Sequence, residues 1–126
     1  MKKFIFSIIA LLIIIASGLI TIKFFKTSSE QITESIERTS AMVTENNWES
    51  AKTHIDNIEK KWDKTEKTWA LLTDHIEIDN IELSMKKSKQ YIESNSGPLA
   101  LAELESLKFM VKHIYSKELI NMKNIF

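Results

Sequence analysis

The chain has 126 residues, 17 basic and 17 acidic, with no cysteine, two glycines and one proline. The charge balance excludes the basic face that nucleic-acid binding needs, and the missing thiols exclude disulfides and lipoprotein processing. The scarcity of turn formers excludes a β-sheet fold, which leaves an all-α chain with room for one small domain.

Residues 4–22 are an uncharged, mostly Ile, Leu, Phe and Ala run, interrupted by Ser7, Ser17, Gly18 and Thr21. As a helix this run spans roughly 28 Å, close to the hydrocarbon thickness of a bilayer. Lys2 and Lys3 precede it and favour a cytoplasmic start; Lys23 and Lys26 follow it, and Lys23 can snorkel to the far interface. A cleaved signal peptide is the competing reading, because Ala16-Ser17-Gly18 offers small residues to a peptidase. The apolar run continues past that point to Phe24 and Phe25, which favours an uncleaved anchor. Residues 1–26 are therefore read as a single-pass membrane anchor and 27–126 as an extracytoplasmic helical domain. That domain holds 13 basic and all 17 acidic residues, a net charge of −4 that argues against a polybasic lipid patch.

The anchor helix is expected to continue to Thr44, with a place for a kink at Thr27-Ser28-Ser29. Ile32, Ile36 and Val43 carry an apolar stripe onward, while Glu30, Glu34, Glu37 and Arg38 face away. Asn46-Asn47 punctuates the chain and supplies an N-cap. Then Trp48, Ala51, Ile55, Ile58, Trp62, Thr65, Trp69 and Leu72 alternate spacings of three and four, the a/d seam of a coiled coil. Three tryptophans, Trp48, Trp62 and Trp69, share this stripe. They are read as core, or as the face for a partner, because such a seam needs another helix from this chain or a second one. Self-association is thus open.

A corner follows at Thr73 to Glu77, with Asp74 placed to cap the next helix and Glu77 and Asp79 near its positive end. Ile78, Ile81, Met85, Ser88 and Ile92 form a third seam, flanked by Leu83 and Tyr91. Ser96-Gly97-Pro98 is a break that also starts a helix well. Ala100, Leu104, Leu107, Val111 and Ile114 form the fourth seam, broadened by Leu101 and Met110. Ser116 is expected to cap a last short segment in which Leu119, Met122 and Phe126 cover the bundle end. The predicted fold is an N-terminal transmembrane helix followed by a small antiparallel helical bundle.

One stretch could carry chemistry. His75 and Asp79 sit at i and i+4 on one helix face, and Glu82 lies a further turn along, so the three are the metal candidates. His54 or His113 would have to supply another ligand. No HExxH, EF-hand loop, phosphate loop, dinucleotide fingerprint or serine elbow accompanies them, so no cofactor and no enzyme is expected. The simpler reading is a helical corner whose acids start the next helix.

The apolar first helix, "NNWESAKTHIDNIEKKWDKTEKTWALLTDHIEIDNIELSM", "ALAELESLKFMVKHI" and the terminal "KNIF" together resemble a family of short membrane-anchored bacterial proteins, domain of unknown function 4363. The specific part is the paired tryptophans followed by "DHIEIDNIE". The resemblance implies an anchor and a small helical domain, no reaction, and an accessory role beside a membrane-protein partner. The expected function is a membrane-anchored, non-enzymatic binding or scaffold module; the alternative is a ligand- or metal-sensing domain using the corner from Asp74 to Glu82.

Overall fold

The computed structural model describes residues 1–125, so the expectation for Phe126 lies outside the described residues. Among the described residues the chain forms four helices: α1 (Lys2–Thr44), α2 (Trp48–Ala70), α3 (His75–Glu93) and α4 (Gly97–Ile125). The links, residues 45–47, 71–74 and 94–96, are too short for anything but antiparallel neighbours. Each helix packs on the next, and α4 closes the ring against α1. The bundle is therefore up-down-up-down, with only the C-terminal half of α1 inside it.

Periodicity explains the packing. Each helix buries residues at alternating spacings of three and four: Phe25, Ser29, Ile32, Ile36, Thr39 and Val43 on α1; Ala51, Ile55, Ile58, Trp62, Thr65 and Trp69 on α2. On α3 the buried seam is Ile78, Ile81, Met85, Ser88 and Ile92, and on α4 it is Ala100, Leu104, Leu107, Val111 and Ile114. Four such stripes facing one axis make a single apolar core. The seam of α2 falls short at its ends. Trp48 is only partly buried, and Leu72, lying past the end of the helix, is exposed.

Two of the links share one device. Asn46 and Asn95 take left-handed backbone angles, φ 56° and 53°. In each case the next N–H reaches back across the last turn, Asn47 to the Met42 carbonyl and Ser96 to that of Tyr91, both at 2.8 Å. Asn tolerates this conformation and so ends α1 and α3 as glycine usually does. Asn95, not Gly97, thus reverses the chain. Gly97 already belongs to α4, where a Cβ would stand 3.8 Å from the Trp48 ring. Trp48 thereby closes the end of the bundle that holds both Asn links.

The helix α1 runs unbroken through Thr27-Ser28-Ser29, where Ser28 returns its hydroxyl to the Phe24 and Phe25 carbonyls at 2.8 and 3.2 Å. Ser116 caps nothing, because α4 continues through it to Ile125; without a glycine or proline after Pro98, nothing there stops a helix. Leu107→Ala should cost about 2–5 kcal/mol and Leu83→Ala less than about 0.5 kcal/mol, measured by urea unfolding in detergent; equal effects would contradict the assigned core.

Candidate functional site at the Trp69 corner

The opposite end of the bundle is where α1 enters, α2 turns into α3 and α4 leaves. Trp69, three residues before the end of the α2 seam, is fully buried there. Its ring stacks on Phe25 of α1 with centroids 4.8 Å apart and meets the edge of Trp62 at 5.6 Å and 78°. Its indole N–H donates to the Ser28 hydroxyl at 3.0 Å, so one aromatic both fills the core and fixes its height along α1. Trp62 is as deeply buried, yet its Nε1 has no hydrogen-bond partner among the described residues. Trp62 and Trp69 are core residues, withdrawn from any partner, and only Trp48 keeps an accessible edge.

The polar half of the corner starts α3. The Asp74 carboxylate accepts the Ile76 N–H at 3.0 Å, the cap expected from the sequence. Glu77 is the residue that ties the corner together. Its carboxylate accepts the Thr73 hydroxyl at 2.7 Å and pairs with Lys117 of α4 at 3.0 Å. The Thr73 hydrogen bond, with Lys117 helping against partial burial, holds the Glu77 carboxyl below its ordinary value. The same contact with Glu77 raises the Lys117 ammonium.

The metal candidates do not gather. His75 and Asp79 are exposed, and Glu82 turns across to α2. There a hydrogen bond with Glu82, with burial adding to it, pushes the Glu66 carboxyl above its ordinary value. His54 is occupied with the Ser50 carbonyl at 3.0 Å, and His113 stacks on Phe109 with centroids 5.7 Å apart. Among the described residues no three His, Asp or Glu side chains are placed to hold one ion. Further along the α2–α3 seam, Lys89 binds both Asp56 and Glu59 at 2.9 Å, and these contacts, Asp56 first, raise its ammonium.

Aromatic core, helix cap and cross-bundle ion pair meet within one stretch of sequence, from Trp69 to Glu77, and the family model for a domain of unknown function (DUF4363) matches residues 19–125 around it. The chain belongs to the DUF4363 family. The match takes in the whole bundle but only the last few residues of the apolar run, so the DUF4363 signature is the bundle and its junction with α1. Comparison with curated proteins and with solved structures gives no match.

Sequence reasoning saw the Asp74 cap but missed the Glu77–Lys117 pair. The two residues are 40 positions apart, and nothing local encodes the α3–α4 register that joins them. Glu77→Gln should cost about 1 kcal/mol at neutral pH through the weakened Thr73 bond. Because the folded state lowers the Glu77 pKa, this stability is present above the ordinary value of 4.5 and lost as pH falls through the folded value. The gap between the native chain and Glu77→Gln in unfolding titrations should therefore close on acidification; a gap that widens there would contradict the assignment. Trp69→Phe should cost about 1 kcal/mol more than Trp62→Phe, since only Trp69 loses a hydrogen bond.

Proposed function

We propose that this DUF4363 chain is a membrane-anchored, non-enzymatic scaffold whose helical bundle stands outside the cytoplasm and serves a membrane-protein partner. One observation carries the anchor. Its first 18-residue apolar window has a mean hydropathy of 2.8 and is only 6% buried, although it continues directly into a helix that the bundle buries. A core helix of a soluble protein would have covered that window; a bilayer covers it here. Lys2 and Lys3 ahead of the span support a cytoplasmic start.

The scaffold half rests on the outer face of α4. Leu99, Ala102, Ser106, Phe109 and His113 repeat the three-and-four spacing of a seam, yet all are exposed. Small residues between Leu99 and Phe109 let another helix approach closely. Thr73, Asp74, Glu77 and Lys117 of the Trp69 corner are meanwhile committed to local or cross-helix contacts, which favours a structural corner over a chemical one.

The absence of native cysteine makes topology directly measurable. Full-length Glu93→Cys, at an exposed helical position beside the Asn95 link, should stay with membranes under alkaline carbonate and react with an impermeant maleimide on intact cells. Release by carbonate would refute the anchor, and labelling only after lysis would refute the orientation. A photocrosslinker at Phe109 should capture a membrane protein, and one at Lys60 should not; capture of a second copy at Phe109 would replace the partner by self-assembly.

A further inference from the structure

The Trp69 corner carries apolar surface that the bundle leaves open. Leu71 is 82% exposed, Ile76 67% and Leu72 40%, all within or beside the α2–α3 link. Elsewhere on α3 and α4 the exposed large apolar residues Leu83, Leu99, Phe109 and Ile120 lie ten or more positions apart; here three lie within six residues at one tip.

Their height along α1 is fixed. Trp69 is level with Phe25 and Ser28, which it touches. α2 runs antiparallel to α1, so Leu71 and Leu72 lie about one turn, roughly 3–5 Å, nearer the apolar span. That puts them level with Lys23, where the uncharged run ends. The register of α4 agrees. Tyr115 and Ser116 line one groove with Ser29 and Glu30, and Lys117 pairs with Glu77. The remaining eight residues to Ile125 therefore reach about 12 Å past Lys117. This overhang presents Ile120, 59% exposed, with half-buried Leu119 and Met122 and a flanking Lys123. Thr21 and Ile22, the α1 residues at that height, are themselves half-buried, unlike Leu19 and Ile20 before them.

We propose that the α2–α3 link and the end of α4 form a foot that enters the surface of the bilayer crossed by α1, with Leu71, Leu72, Ile76 and Ile120 at the boundary between headgroups and acyl chains. The inference rests on the anchor reading above and adds to it that the bundle sits directly on the lipid. Continuity of α1 names the occupant: a rigid helix leaves no spacer between span and bundle, so whatever faces this tip is the membrane itself. The chemistry is apolar insertion with snorkelling lysines, Lys23, Lys26 and Lys123, around it. It needs no polybasic patch, in keeping with the acidic balance of the bundle.

The test uses the full-length chain in vesicles of phosphatidylcholine and phosphatidylglycerol, with one environment-sensitive fluorophore on Ile13→Cys, Leu71→Cys or Glu93→Cys and lipids spin-labelled near the headgroup or deep in the chain. The foot predicts deep quenching at 13, blue-shifted emission and shallow quenching at 71, and neither at 93. Quenching at 13 with an unquenched, water-like 71 overturns the foot and leaves the anchor standing. An unquenched 13 overturns the anchor and the foot with it. If 71 is blue-shifted yet unquenched, a second copy covers the tip and the lipid assignment fails. Leu71→Glu with Ile76→Glu gives an independent readout: the helical circular dichroism should persist while a fluorophore at Leu72→Cys loses its blue shift, and an unchanged spectrum there would count against the foot.

Discussion

On the anchor reading proposed above, one helix satisfies two solvents. The first half of α1 exposes Ile, Leu and Phe on every side, and the second half buries a single stripe, packing between α2 and α4. No glycine, proline or link separates the halves beyond Gly18. The orientation of the bundle is therefore inherited from the apolar half of α1, and the Phe25–Trp69 stack lies where burial of α1 begins. Phe25 and Trp69 stack at the first buried turn of α1, and the Ser28 hydroxyl locks the indole in place. Slippage of α2 along α1 would break a stacked pair and a buried hydrogen bond together.

The rest of the bundle follows from repetition. Four seams with the same alternating spacing pack around one axis with short links, and two Asn residues close the end away from the span by the same left-handed reversal. Buried hydroxyls at Thr39 and Thr65 return to carbonyls one turn back, Ser35 and Lys61, so small polar residues sit within the seams without breaking them. The corner near the span is built differently. A capped helix start is joined to α4 by the Glu77–Lys117 pair, which marks the level at which α4 passes the corner.

Much of this was legible in the sequence because burial on a helix is periodic. The seam of α4 and, apart from the buried Ser84, that of α3 were read from the sequence, as was the Asp74 cap, a local interaction. What was not legible depends on register or on where a helix ends. Leu72 continues the seam on paper, but α2 has already stopped and the side chain is exposed. Ser116 looks like a cap, yet a cap acts only where a helix begins, and α4 does not pause there. His75, Asp79 and Glu82 share a helix in sequence, but among the described residues His75 and Asp79 are exposed, Glu82 lies beside Glu66 of α2, and no three such side chains cluster.

Continuity of α1 is the claim on which the rest turns, and one distance tests it most directly. Spin labels at the exposed positions Ile14→Cys and Thr44→Cys, in the full-length chain reconstituted in vesicles, report it by pulsed dipolar spectroscopy. An unbroken helix over these thirty residues predicts one narrow distribution centred at about 45 Å. A broad or markedly shorter distribution would show that anchor and bundle are joined by a hinge, and would contradict the account.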